Sequence, residues 1–408
     1  MRHNISQNAP MPPKNVLLLT GPGTHLHLLR KALQDYGLRL STVEYYPDWK
    51  MIAPDGTTRQ ISGYRLAVWL LWALWRRLPY YGKYETPRTW QYSLYDALVS
   101  LHFPSQIDLV WGWSGMSLFT LKKAKKRHLP TLLEMPMVHP NFWNRTAHPL
   151  YTRHSNTEST FGLLPASLIR RIRQELELAD GIIVPSLFAR DTFLAEGIPA
   201  HKLHHIPLGV ETDEFVPAAR LVRRPFRFLY VGRLDLLKGV AYLLEAWKRL
   251  RLPQAELWVI GRALPEVKPI LRRYEGLFQY WGPKHRKDLP PFYREGTVFI
   301  FPTLLDSFGM TLLEAMASGL PAIATRASVA PEVIRPAQEG LLIPPGSVEA
   351  LMEAMETLYR HPDLEAMGQA ARGRVEADYS VAAYQKRLSA FLEQFLALRE
   401  ALLPPALA

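Results

Sequence analysis

Cysteine is absent from this chain of 408 residues, and that one absence removes disulfides, zinc–thiolate centres and cysteine nucleophiles together. The usual argument for a secreted protein goes with it. Long apolar runs are missing as well. The most apolar stretch, residues 66–78 (LAVWLLWALWRRL), is 13 residues long, and a bilayer-spanning helix needs about 20. Residues 1–13 are polar and proline-rich, which predicts a loose tail and no signal peptide. There is no Walker A run, no GxGxxG and no Asp-x-Asp metal pair. Low-complexity segments and short-period repeats are also lacking.

What is present fits a folded protein of two domains. Single cores stop growing near roughly 250–300 residues, and a hydrophobic fraction of 48% with eleven Trp supplies ample core. The formal charge of +12 points to a phosphate-bearing partner: nucleic acid, acidic lipid or a nucleotide. Basic residues cluster at Lys122–Arg127, at Arg170, Arg171 and Arg173, and at Arg220, Arg223, Arg224 and Arg227. Each cluster also reads as a solvated face. No RNA-module signature, zinc finger or basic zipper accompanies them, so nucleic acid is not expected as a partner. Trp69, Trp72 and Trp75 recur at helical spacing before Arg76 and Arg77. That pattern suits a helix lying on an acidic membrane surface, and equally a core helix or an acceptor-site wall.

From Asn15 onwards apolar runs alternate with helical patterns, as in parallel sheets. Strands are expected at Asn15–Thr20, Leu38–Glu44, Ile107–Trp111, Thr131–Glu134, Gly181–Val184 and Leu203–Ile206, with helices between them. Ser186 is placed to cap one of these helices. After Pro207–Val210 a second alternation begins, with strands at Pro225–Val231, Ala255–Ile260, Leu277–Trp281, Thr297–Phe301, Ala322–Thr325 and Gly340–Ile343. The expected fold class is α/β: two Rossmann-like, doubly wound domains facing across a cleft. Their limits are a tail at 1–13, an acceptor domain at 14–211 and a donor domain at 212–377. A C-terminal helix, 378–408, crosses back to the first domain.

Two segments carry the chemistry. VGRLDLLKG (Val231–Gly239) leaves a strand and places Arg233 and Lys238 at the mouth of the next helix, a seat for a pyrophosphate. FPTLLDSFGMTLLEAMASGLP (Phe301–Pro321) runs from strand to helix with Asp306 and Glu314 flanking Phe308-Gly309. Carboxylates there suit sugar or ribose hydroxyls and repel phosphate. Thr311 and Glu314 also read as a T-x-x-E capping box, which would account for the pair without any ligand. That alternative makes Thr311 the cap that precedes the helix, so the two readings predict different helix starts.

Together these segments resemble the retaining, nucleotide-sugar-dependent glycosyltransferases of family 4, which have the two-domain GT-B fold. Residues 175–215 (ELELADGIIVPSLFARDTFLAEGIPAHKLHHIPLGVETDEF) and 340–346 (GLLIPPG) extend the resemblance, so that it covers most of 107–395. The resemblance implies that Arg233 and Lys238 hold the donor diphosphate and that Glu314 binds the ribose. The amides of Phe308, Gly309 and Met310 would contact sugar or phosphate. Asp306 stands where the family usually has Glu, near the sugar hydroxyls. His139, in LEMPMVHP, would face the sugar from the first domain with Asp306 opposite it. Gly21 and Gly23 would form a loop against the acceptor or diphosphate, although Gly21-Pro22-Gly23 also reads as a plain turn. No cofactor or metal is implied, since the cations supply the charge. The expected partners are a UDP-, GDP- or ADP-linked sugar and a glycan or lipid-linked acceptor, in polysaccharide biosynthesis. The expected setting is cytoplasmic, with peripheral membrane contact. Alternatives are a nucleotide-sugar epimerase or phosphorylase of the same fold, or a non-catalytic basic module for lipid or nucleic acid.

Overall fold

The computed structural model describes residues 15–21, 26–44, 50–52, 58–60, 86–153, 162–219 and 225–402. The tryptophan-rich segment 66–78, Gly23 and the N-terminal tail lie outside them.

The apolar runs become the centres of two sheets. In the first half, β1 (Asn15–Thr20) lies between β2 (Arg39–Glu44) and β5 (Leu109–Trp113), parallel to both. The parallel order continues through β6 (Thr131–Glu134), β7 (Gly181–Val184) and β8 (Leu203–His205). On the other side β3 (Lys50–Ile52) and β4 (Thr58–Gln60) add an antiparallel hairpin to β2. In the second half, β9 (Phe226–Val231), β10 (Ala255–Ile260), β11 (Gln279–Gly282), β12 (Val298–Phe301), β13 (Ala322–Thr325) and β14 (Gly340–Ile343) form a wholly parallel sheet. Its order is β11-β10-β9-β12-β13-β14. Winding reverses between β9 and β12, and such a reversal opens a crevice outside the carboxyl ends of the two strands.

The helices of the first half are α1 (Leu26–Asp35), α2 (Thr86–Leu101), α3 (Leu118–Lys126), α4 (Pro140–Arg153), α5 (Ala166–Leu178) and α6 (Leu187–Leu194). Those of the second half are α7 (Val240–Arg249), α8 (Lys268–Arg273), α9 (Pro290–Glu295), α10 (Met310–Ala317), α11 (Ala330–Val333), α12 (Val348–Tyr359), α13 (Leu364–Asp378) and α14 (Val381–Leu402). Covered on both faces, the inner strands bury every residue: β5, β6, β7, β12 and β13 show no exposed position.

The antiparallel hairpin β3–β4 departs from the sequence expectation of parallel strands, and two helices between the expected strands are held by distant residues. Helix α4 holds Pro149 within it, and Trp143, Ala147, Leu150 and Tyr151 stand at helical spacing on its core side. Long-range bonds hold it as well. Asn144 exchanges two hydrogen bonds of 2.8 Å with the backbone of Leu164, and the Trp143 indole donates to the Gly162 carbonyl at 2.5 Å. Helix α2 is tied through Asp96, which accepts from the Phe119 and Thr120 amides at 2.6 and 2.9 Å and pairs with Arg171. A carboxylate at the start of α3 complements the free N–H groups there.

Helix α14 packs on the first half. Gln385 donates to Asp35 of α1 at 2.8 Å, Arg387 donates to the Pro207 carbonyl at 3.0 Å, and Phe391 lies 4.6 Å from the ring of His204. No helix among the described residues is long and apolar enough to cross a membrane.

Candidate active site

A cavity of about 360 Å³ opens where β6, β9 and β12 end. The second half lines it with Gly232, Arg233, Lys238, Asp306, Phe308, Gly309 and Met310. The first half contributes Glu134, Pro136, Pro185 and Leu208. Two sequence segments separated by about seventy residues thus meet at the reversal point of one sheet, with the first half closing over them.

The two cations are positioned by a residue that the sequence reading passed over. Asp235 is buried, and its carboxylate accepts from Arg233 Nε at 2.6 Å and from the Lys238 amide at 2.8 Å. One buried carboxylate therefore fixes both the guanidinium and the backbone that carries the lysine. Burial works against the Arg233 cation, but Asp235 more than offsets it and holds the guanidinium above the ordinary arginine value. Lys238 in turn pairs with Asp306 through its ammonium. A carboxylate thus already occupies the cation assigned to the diphosphate. Such charge-assisted bonds favour fixed geometry, and each is exchangeable for a phosphate oxygen.

Beyond Asp306 the chain turns into α10 at Gly309. This residue has φ +109°, and a Cβ there would lie 2.7 Å from the Phe301 ring. Only glycine fits both demands. Helix α10 starts at Met310 with Gly309 as its cap and no side-chain cap bond. Thr311 is already inside the helix, so the capping-box alternative is incorrect. The free N–H groups of the first turn face the end of the cavity that Met310 and Thr311 line.

Glu314 is 3% exposed and does not itself line the cavity. Its two oxygens accept from Arg286 Nε and from the Tyr293 hydroxyl, each at 2.9 Å. Burial raises its pKa, and Arg286 opposes that rise. Arg286 also donates to Glu211 at 2.6 Å and Glu214 at 2.9 Å, which makes it the hub of three carboxylates. Sequence reasoning missed Arg286; its one signal was a basic run just beyond the β11 turn.

The first-half residues fall differently. His139 is not among the residues that line the cavity. It is buried where α4 begins, its ring edge-on to Phe193 at 5.2 Å and its amide donating to Thr192 Oγ1 at 2.9 Å. The physical reason is Pro140: the helix starts there and draws the preceding residue into the core. Gly21 ends β1 beneath Trp113, where a Cβ would come within 2.1 Å of the indole nitrogen. Its smallness therefore serves packing, and it too lies off the cavity lining. Ser307 spans the halves, accepting at Oγ from the Val138 amide at 2.9 Å and at its carbonyl from Ser186 Oγ at 2.6 Å. Ser186 also caps α6 through the Ala189 amide, at 3.0 Å.

Residues 19–214 match a family model described as Glycosyltransferase Family 4, and residues 225–361 match one described as glycosyl transferases group 1. The chain belongs to glycosyltransferase family 4. It is similar to the sulfoquinovosyl transferase SQD2 of Arabidopsis thaliana, with 30% identity over 233 residues, covering 53% of this chain and 45% of that protein. The chain spans about half the length of the curated relatives it matches. Among solved structures, sucrose-phosphate synthase from Thermosynechococcus elongatus aligns with a TM-score of 0.70 at 18% identity, over 94% of this chain and all of that one. HepE of Anabaena in complex with UDP and glucose aligns with a TM-score of 0.62 at 14% identity, over 93% of this chain and 100% of that one. The fold of this family 4 member is GT-B.

Proposed function

We propose that this protein is a retaining glycosyltransferase that moves a sugar from a nucleotide-diphosphate donor to a hydroxyl of a glycan, lipid-linked or small-molecule acceptor. The observation that carries the reading is the convergence of Arg233, Lys238 and the first turn of α10 on one cavity at the sheet reversal. Two cations and free N–H groups there suit a diphosphate, and they stabilise it most as it leaves with full charge. That electrostatic work requires no metal ion. The bond from the anomeric carbon to the diphosphate oxygen breaks, and its electron pair leaves with the nucleotide. The acceptor oxygen attacks from the same face, and its proton passes to the departing oxygen.

Asp306 faces the sugar hydroxyls and hands Lys238 to the diphosphate. Glu314 takes the ribose: Arg286 and Tyr293 use two of its roughly four lone-pair positions, which leaves acceptor capacity for a hydroxyl. Residues 14–211 form the acceptor domain and 212–377 the donor domain. The exposed Trp90 and Phe119, on α2 and α3 beside exposed Lys122 and Lys126, support a peripheral contact with acidic membrane on the cytoplasmic face.

The test is turnover of UDP-, GDP- and ADP-hexoses with a panel of glycan and lipid-linked acceptors, the anomeric proton followed by NMR. A product with the donor's configuration supports the reading. An inverted product contradicts retention. Free sugar released equally with and without acceptor would instead favour the epimerase-like alternative.

A further inference from the structure

We propose that Glu134 is the first-half group that meets the transferred sugar, and that with Asp306 it restricts the donor to sugars carrying no negative charge. The inference rests on the donor reading above and deepens it.

Glu134 is the last residue of β6 and lines the cavity with 5% of its surface exposed. The Trp111 indole N–H donates to its Oε2 at 3.0 Å from the neighbouring strand β5. That bond fixes the carboxylate on a rigid strand end. His139, five residues further on, is held against Phe193 and leaves this position on the wall to Glu134.

The charge inventory then decides what the cavity accepts. Among the described residues four charged ones line it: Arg233 and Lys238 as cations, Glu134 and Asp306 as anions. A bound diphosphate brings negative charge that engages both cations. What remains toward the sugar is one carboxylate from each half. Neutral hydroxyls donate to such carboxylates. A sugar carboxylate or sulfonate would be a third anion in a space of about 360 Å³, with both cations already used. Like charges in a desolvated site disfavour each other strongly. The same arrangement assists transfer, because positive charge grows on the sugar as the leaving bond stretches, and a fixed carboxylate there opposes it.

The test compares wild type with Glu134→Gln, which removes the charge but keeps an oxygen acceptor for the Trp111 indole. Calorimetry measures UDP, GDP and ADP, and then the hexose and hexuronate donors of whichever nucleotide binds. Wild type is expected to favour the neutral donor by about tenfold or more, and Glu134→Gln to cut that ratio to about threefold or less. Turnover of the neutral donor should fall by about 100-fold in the variant, with the nucleoside diphosphate Kd changed by no more than about twofold. Glu134→Asp, which keeps the charge but shortens its reach, should preserve the discrimination while losing turnover. A purely structural Glu134 would leave the neutral-to-uronate ratio unmoved. An equal ratio in wild type and Glu134→Gln, with nucleotide binding intact, overturns this proposal alone. Absence of binding by all three nucleotides in wild type overturns the donor reading and this proposal with it.

Discussion

In the second half the functional charges on and behind the cavity wall are already partnered: Arg233 with Asp235, Lys238 with Asp306, and Glu314 with Arg286. Among the described residues, the first-half wall meets the same cavity with one carboxylate, two prolines and a leucine. The first is a pre-organised charge network, and a ligand binds it by exchanging one set of ionic bonds for another. The second is a mostly apolar surface among the described residues, with its carboxylate held by the Trp111 indole. Nucleotide affinity should therefore reside almost wholly in the second half, while sugar choice and rate depend on what the first half brings over it.

The contrast breaks most readily at Arg233. Its side chain is about half exposed, but its partner Asp235 is buried, so Arg233→Ala should cost about 1–3 kcal/mol of stability. Donor kcat/KM should fall by about 10²–10³, the usual scale for losing one transition-state cation or donor. Steady-state kinetics beside a thermal melt reads both.

Gly309→Ala comes next. The required φ of +109° and the contact with Phe301 cannot both be kept, so stability should drop by about 2–3 kcal/mol. Misdirection of the α10 amides should weaken nucleotide binding as well. Chemical denaturation and nucleotide titration of the same sample separate the two effects.

Glu314→Ala should cost about 1–3 kcal/mol, because Tyr293 is buried and would lose its acceptor. If the ribose assignment holds, the affinity loss should be larger for nucleotides than for inorganic pyrophosphate, which has no ribose. Equal losses for both ligands would remove Glu314 from ribose binding.

The smallest effect belongs to a first-half residue behind the cavity wall. Burial lowers the His139 pKa below its ordinary 6.5, Glu196 resisting and Arg145 and Arg173 assisting. The folded state therefore binds the proton less well than the unfolded state does. The stability this contributes is present above the ordinary value and is lost as pH falls through the lowered one. Wild type should lose up to about 1 kcal/mol more than His139→Asn on moving from pH 7 to pH 5, measured by denaturant titration at each pH.

Legibility in the sequence followed the same division. Strands β6, β7, β10, β13 and β14 have the limits read from the sequence. Apolar runs ended by Gly, Pro or a polar residue leave little freedom in placing a fully buried strand. Arg233, Lys238, Asp306, Phe308, Gly309 and Met310 share one cavity, because each follows a strand that ends at the reversal point. What groups them from sequence is the resemblance to family 4, carried by the two segments together. Asp235 was within the quoted motif but reads as an ordinary loop acid until its two bonds are seen. Glu134 was legible only as a strand end, since nothing local says that β6 stops opposite β9 and β12. Helix α4 has apolar residues at helical spacing, Trp143, Ala147, Leu150 and Tyr151, but Pro149 inside it interrupts the pattern. The bonds of Asn144 and Trp143 to distant backbone are not legible locally. The burial of His139 was not legible either, its position being set by the helix that follows it.

Calorimetric titration of UDP, GDP and ADP into wild type and into Lys238→Ala most directly tests whether the second-half network is a nucleoside-diphosphate seat. The account predicts saturable binding of at least one of the three, weakened by about tenfold or more in Lys238→Ala. Absence of binding by all three, or equal affinity in the two proteins, would contradict it.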